Sequence, residues 1–427
     1  MKNTNRNLAL EGLRGIACMN VVIGHAAFVF FPYLGQIFRP VAGVTPVFGF
    51  EAWAVYPPFS LLFSADAAVS VFFVMSGYVL LAKFERTGDR TEIERAALRR
   101  GLRLGLPAFA SVMWGWALLT SGLIMGQRAL EIGAPGWVPN FMNKPCTFLE
   151  AVFNGLVSAP VFGDASLNPP IWTIQVELLG SILLFAVYSL FGRRSYTQLI
   201  VWFLIFANVL GFRSPNVLYY LSFLAGALLH PARVILERRA WISAVCFACG
   251  LAGVAYSLSP AFSFMDVIPI PNLAPYGPDF SQKKQLFWNS IGSVFLVAAA
   301  IGYHPFARVM SMRVPVYLGR ISYALYLVHF SIMLSLPLWV LKLGLQSGLT
   351  RGGATMLAFS LYLVAAIVVA EIFHRLVDKP SIDLAFKLSN LTERRVIPGT
   401  RASAVAQREP AGLSSDLAPR EVRPSMN

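Results

Sequence analysis

The sequence predicts an all-α membrane protein, a polytopic bundle of about ten transmembrane helices with both termini in the cytoplasm, and three observations support this. Hydrophobic residues make up 56% of the 427, charged residues only 13%, and the mean hydropathy is +0.61, whereas soluble domains carry roughly a quarter charged residues. Apolar runs long enough to cross about 30 Å of hydrocarbon recur along the whole chain. Lys and Arg are spread unevenly over the segments that join those runs.

In order, the runs are 10–31, 66–83, 103–126, 171–192, 197–212, 216–231, 240–258, 286–303, 316–341 and 353–377. The first is too long for a signal-peptide core, contains Arg14 and His25, and lacks a small-residue cleavage pattern, so it is expected to remain as a helix. The fifth and sixth are short and separated by Arg213 to Pro215. A re-entrant hairpin and a count of eight are therefore the alternative, against which the charge balance favours ten. With the N-terminus inside, about two thirds of the 35 Lys and Arg fall in cytoplasmic segments. The outer segments hold Arg39, Arg128, Lys144, Arg213, Lys283, Lys284, Lys342 and Arg351. This asymmetry accounts for the net charge of +14 without a nucleic-acid partner.

Residues 1–9 read as a cytoplasmic N-terminus, 10–379 as the transmembrane domain and 380–427 as a cytoplasmic tail, mostly disordered because it is rich in Ser, Ala, Pro and Arg without an apolar period. The outer loops Phe31–Ala65 and Gln127–Pro170 are rich in Pro, Gly and aromatic residues and are expected to cap an outward cavity. Cys18, Cys246 and Cys249 lie within runs and Cys146 is alone in a loop, so no disulfide framework is expected. The Cys246/Cys249 pair, with no His or further Cys around it, reads as packing and not as a metal site.

Polar residues inside the runs are candidates for chemistry. Arg14 and His25 are eleven residues apart, which returns to within about 20° of one helix face and separates the side chains by about 16 Å along the axis. The plainer reading is an Arg that snorkels and a His satisfied by a neighbouring helix. If the fourth run starts at the outer surface, Glu177 lies at the depth of His25 and is placed either to orient that imidazole or to neutralise a basic residue. Trp172 sits above Glu177, and Trp53 and Trp137 in the loops are further candidate platforms for a sugar. Arg95, Arg99, Arg100 and Arg103 cluster at the cytoplasmic edge of the third run. They serve either as anchors or, for Arg100 and Arg103 at i and i+3, as two guanidinium groups on one face for phosphate. The second run carries Asp66 at its outer mouth and a Ser76-Gly77-Tyr78 step suited to close helix approach. Along the ninth run Arg320 lies near the inner surface, and Tyr323, Tyr326 and His329 climb from it to the depth of His25. Glu371 and Arg375 have the spacing of a structural ion pair.

Taken together, "LEGLRGIACMNVVIGHA", "VFFVMSGYVLL", "RRGLRLGLP", "PPIWTIQVELLGSILLF" and "LGRISYALYLVHF" resemble, in that order, the acyltransferase-3 family of integral membrane enzymes. The family includes O-antigen and nodulation-factor acetylases. The resemblance runs from Leu10 to about Lys379, and its most specific mark is the Arg-x10-His opening. It implies an enzyme of the bacterial inner membrane that takes an acyl group, commonly acetyl, from cytoplasmic acyl-CoA and delivers it to a hydroxyl of a carbohydrate or glycolipid. No permanently bound cofactor or metal is implied; partners are the acyl-CoA, the acceptor and membrane lipids. By position His25 resembles the essential histidine, with Arg14 as its partner and Arg100 and Arg103 as the RxxR of donor binding. Glu177 stands where many members have a Trp-Ser-x-x-x-Glu motif and is carried as a second catalytic residue, while Trp172, Asp66, Tyr326 and His329 are carried as acceptor contacts. Here the motif begins Trp172-Thr173 and is followed by Leu178-Leu179-Gly180 in place of polar and aromatic residues, a departure that bears on the acceptor. Two routes are open at His25: general base for the acceptor, or carrier of the acyl group. The rival class is a transporter or flippase, which also uses buried charges but needs no acyl donor.

Overall fold

The computed structural model describes residues 2–38, 43–211, 216–268, 270 and 280–396. Among these, every regular element is helical. The ten apolar runs become α1 (Lys2–Phe30), α2 (Ala65–Thr87), α3 (Thr91–Thr120), α4 (Trp172–Phe191), α5 (Ser195–Gly211), α6 (Asn216–Arg238), α7 (Ala240–Val254), α8 (Phe280–Gly302), α9 (Arg313–Met333) and α10 (Arg351–Phe373). An eleventh helix, α11 (Lys379–Val396), lies along α3. The protein is an integral, multi-pass membrane protein, with eight candidate spans long and apolar enough to cross a bilayer among the described residues.

Of the ten runs, the fifth is short as expected (α5), but its short companion is α7 and not the sixth. α6 is longer than its run because the helix continues through Pro231 to Arg238. α7 stops at Val254, ahead of the Ser259-Pro260 step, where Ser259 is extended as a residue before proline must be. The Arg213–Pro215 hairpin lies outside the described residues. The ninth run is broken: α9 ends at Met333, Ser335 leaves helical geometry, and a new helix, Leu336–Gln346, starts with Pro337 near its N-terminus. The carbonyl of Leu334 freed by this break accepts the backbone N–H of Met125.

Small residues set the closest seams. α1 and α9 run parallel in fixed register, so that Gly15 meets Gly319, Cys18 donates to the Ser322 carbonyl at 3.1 Å, and His25 meets His329. A Cβ on Gly15 would overlap the Gly319 nitrogen, and one on Gly319 would overlap the Glu11 carbonyl. Only hydrogen at these positions lets the two backbones touch. The Ser76-Gly77-Tyr78 step does the same for α2, where Gly77 lies on the Phe223 carbonyl of α6, and Gly226 answers it on the Val74 carbonyl.

The 127–170 loop contains an apolar helical stretch, Phe148–Phe162, beside α3 and α4. Its small residues Ala151, Gly155 and Ala159 are buried, whereas Leu149 and Phe162 are 76% and 71% exposed. Beyond it the chain turns into the bundle: Asn168 is buried and donates to Ser111 Oγ and the Leu327 carbonyl, both at 2.9 Å. α4 therefore starts inside the protein.

Candidate active site

The first four turns of α1 bring Glu11 and Arg14 to the end of the bundle where α3 brings Arg100 and Arg103 and α9 brings Arg320. A cavity of about 300 Å³ lies among them. Glu177, His374 and Asp378 complete its charged lining, and Tyr323 and Tyr326 climb one wall. Tyr323 donates to the Leu104 carbonyl at 2.8 Å, tying α9 to α3. At the far end the lining is Val69, Phe72, Phe73, Thr173 and Tyr326.

The charges here are only partly matched. Arg14 binds Glu11 at 2.5 Å and the Gly319 carbonyl at 3.2 Å, and Arg100 binds Glu177 at 2.6 Å and Ser181 at 3.0 Å. Asp378 is taken by His374 Nδ1 at 2.7 Å. Among the described residues Arg103 and Arg320 have no carboxylate partner, and the Arg320 guanidinium lies over the Tyr317 ring at 5.1 Å. The lining thus keeps an excess of positive charge turned toward open space, the condition for holding a polyanion.

Arg14, Arg100 and Arg103 are brought together as their spacing suggests, but Arg100 does not present a free fork, because Glu177 and Ser181 occupy it. Of the two places open to Glu177, beside His25 or against a basic residue of another helix, the structure has the second: its Oε1 accepts from Arg100 and, at 3.1 Å, from Ser76, and the expected depth of His25 is not reached. The cause is the buried start of α4: the Pro170 carbonyl accepts from the Tyr326 hydroxyl at 3.3 Å, so the helix begins at the level of Tyr326. Seven residues farther on, about 10 Å, Glu177 arrives among the arginines.

His25 is on the same seam as Arg14, farther along α1. Its Nδ1 is 3.0 Å from His329 Nε2, the two rings are nearly parallel at 14° with centroids 5.2 Å apart, and the Phe330 edge closes on His25 at 5.1 Å. Phe141 packs on Phe330 and Trp137 on Phe141, so a loop predicted to cap the site does reach it. His329 is wholly buried, with Nδ1 at 2.7 Å from the Tyr326 carbonyl. The Tyr326 ring, which lines the cavity, is 5.8 Å from that of His329. Tyr326 is thus the shared wall between the basic cavity and the histidine pair.

The other acceptor candidates lie outside the cavity lining. Trp172 packs on Tyr219 at 5.4 Å and is not part of the cavity lining. Asp66 lies in the first turn of α2, also outside that lining, and Trp53 is 53% exposed in its loop. Glu371 and Arg375 form their expected ion pair at 2.7 Å. His374 and Asp378, with the same i,i+4 spacing, went unnoticed in the sequence; they sit on a π-turn (His374–Asp378) that swings both side chains into the cavity wall.

A family model described as an acyltransferase domain matches residues 7–375. Curated relatives include "Acyltransferase R4" of Phoma sp., 22% identical and covering 90% of this chain and 96% of its own. "Acyltransferase clz18" of Cochliobolus lunatus is 23% identical over 87% of this chain and 93% of its own. "O-acetyltransferase PaAT-1" of Phomopsis amygdali is 24% identical over 88% and 83%. No solved structure matches.

Proposed function

We propose, since the chain belongs to the acyltransferase-3 family and is an acyltransferase, that it moves an acyl group, commonly acetyl, from acyl-CoA to a hydroxyl of a carbohydrate or glycolipid. The observation that carries the reading is the shared seam: the basic cavity and His25 lie along the same two helices, with Tyr326 between them. In this reading all ten helices cross the membrane, N-in and C-in, so the arginines face the cytoplasm. The CoA phosphates rest against Arg14, Arg103 and Arg320, while Glu177 holds Arg100 in place. The thin pantetheine arm spans the roughly 16 Å from Arg14 to His25 and delivers the thioester there.

At His25 the acceptor hydroxyl attacks the thioester carbonyl. The C–S bond breaks as the C–O bond forms, and the imidazole takes the hydroxyl proton and returns it to the departing thiolate, giving free CoA thiol. In the two-step route the imidazole nitrogen first takes the acyl group as the C–S bond breaks and CoA leaves as thiolate; the hydroxyl oxygen then attacks the acyl carbon, the C–N bond breaks, and the hydroxyl proton ends on the thiolate. Both routes use the same nitrogen and consume the same substrates. Phe330 beside His25, with Phe141 packed on it and Trp137 on Phe141, offers an aromatic surface to the acceptor. The curated relatives above are fungal, so the arginines face the cytoplasm in a membrane that need not be a bacterial inner membrane.

Purified protein in vesicles, given radiolabelled acetyl-CoA and hydroxyl acceptors, should consume the thioester, and a His25→Ala variant should not. Equal background consumption by both, with acetyl-CoA bound no better than by lipid, would falsify the reading.

A further inference from the structure

His329 has a narrower role open to it than contact with acceptor, and the hydrogen-bond chain around it shows which. Among the described residues its Nδ1 faces only carbonyl oxygens, Tyr326 at 2.7 Å and Leu325 at 3.2 Å. A carbonyl can only accept, so Nδ1 must carry hydrogen. A second proton on Nε2 would make His329 a fully buried cation, and among the described residues it contacts no carboxylate. That arrangement is costly. The ring is therefore neutral, and Nε2 presents a lone pair to His25 Nδ1 at 3.0 Å. His25 must then donate from Nδ1, and in its neutral form it keeps its own lone pair on Nε2.

We infer that His329 is a positioning residue that fixes His25 in the Nδ1–H tautomer and so makes His25 Nε2 the atom that takes the proton or the acyl group. This deepens the function proposed above and rests on His25 being the reacting imidazole. Enzymes commonly set a catalytic histidine's tautomer with a carboxylate or a backbone carbonyl. Here a second imidazole intervenes, locked by the carbonyl of Tyr326. When His25 Nε2 gains a proton, the Nδ1–H···Nε2 bond becomes charge-assisted and shortens. When the proton leaves for the thiolate, the pair returns to its starting tautomers with no net change. The nearly parallel rings, 14° apart, keep donor and acceptor facing each other throughout.

The inference is tested first without turnover. Full-length protein carrying nitrogen-15 histidine, in lipid vesicles, is examined by solid-state magnetic resonance, with the His25 signals identified by their loss in His25→Phe. Wild type should show hydrogen on Nδ1 of His25, and His329→Leu should shift the ring toward the other tautomer. Hydrogen on Nε2 in wild type, or an unchanged spectrum in His329→Leu, overturns the inference. The kinetic arm compares His329→Leu with His329→Gln, whose amide oxygen can still accept from His25. Leu should lower kcat about 100-fold with donor KM unchanged, and Gln should recover most of that loss. Equal losses in the two variants, or a loss confined to KM, overturn it as well. A wild type that turns over no acyl-CoA would defeat the proposed function, while the tautomer measurement would still decide the role of His329.

Discussion

Around the basic cavity, four arginines meet three carboxylates, two of which are tied directly to arginines; farther along the same two helices, two imidazoles sit among Phe141, Phe330 and Tyr326. The first region is rich in fixed charge and leaves Arg103 and Arg320 unmatched among the described residues. The second is a hydrogen-bonded pair of imidazoles, with His329 held by the Tyr326 carbonyl and His25 against the Phe330 edge. The difference separates holding from reacting. Fixed charge attracts an anion over some distance and tolerates water, while proton transfer needs a single well-placed nitrogen in dry surroundings.

That division gives its sharpest prediction as a split in kinetics. His25→Ala should lower turnover by about 1,000-fold or more and leave acyl-CoA affinity within about twofold, measured by calorimetry on detergent-solubilised protein. Conversely, Arg103→Gln with Arg320→Gln should weaken donor binding about 30-fold, in line with charge-assisted hydrogen bonds, with turnover at saturation largely kept. Loss of both quantities in either variant would erase the distinction between the two regions.

The position of Glu177 supplies a second test. In double-mutant cycles on thermal unfolding, Glu177→Gln should couple to Arg100→Gln by about 1–3 kcal/mol and to His25→Gln by less than about 0.5 kcal/mol. The reverse pattern would put the carboxylate back beside the imidazole. At the seam that joins the regions, Gly15→Ala or Gly319→Ala should destabilise the fold by about 1–3 kcal/mol through overpacking, read as a lower melting temperature. An unchanged value would mean that the two backbones are not in contact. The smallest effect belongs to Trp172→Phe, which should alter donor binding and turnover by less than about twofold, because Trp172 packs on Tyr219 and outside the cavity. A loss of acceptor affinity would return it to the site.

The basic region was the more legible of the two. Charged residues in apolar runs are conspicuous, and helix spacing alone is enough to place Arg14, Arg100, Arg103 and Arg320 at one end. The seam of α1 and α9 was half legible: His25 and His329 could be put at one depth, but their hydrogen bond depends on the Gly15–Gly319 contact, which is a tertiary fact. Glu177 was misplaced because depth was counted from an assumed surface, and nothing local to "PPIWTIQVELLGS" says that Asn168 is already anchored inside the bundle by Ser111 and Leu327. The clue lay earlier, in the apolar Phe148–Phe162 stretch, whose buried face is made of small residues and whose exposed face is not polar. His374 and Asp378 escaped because a π-turn shifts side-chain directions that an ideal helix count assigns elsewhere.

Backbone contact between α1 and α9 also makes the enzyme a gauge. With glycine against glycine there is no side chain left to compress, and the parallel register fixes Arg14 and His25 on one rigid rod, about 16 Å apart by helix rise. If the donor is acyl-CoA seated as proposed, a site that cannot stretch should sort donors by length: an arm shortened or extended by a few bonds should leave its phosphates seated and its thioester short of, or past, the imidazole, with turnover lost and binding retained.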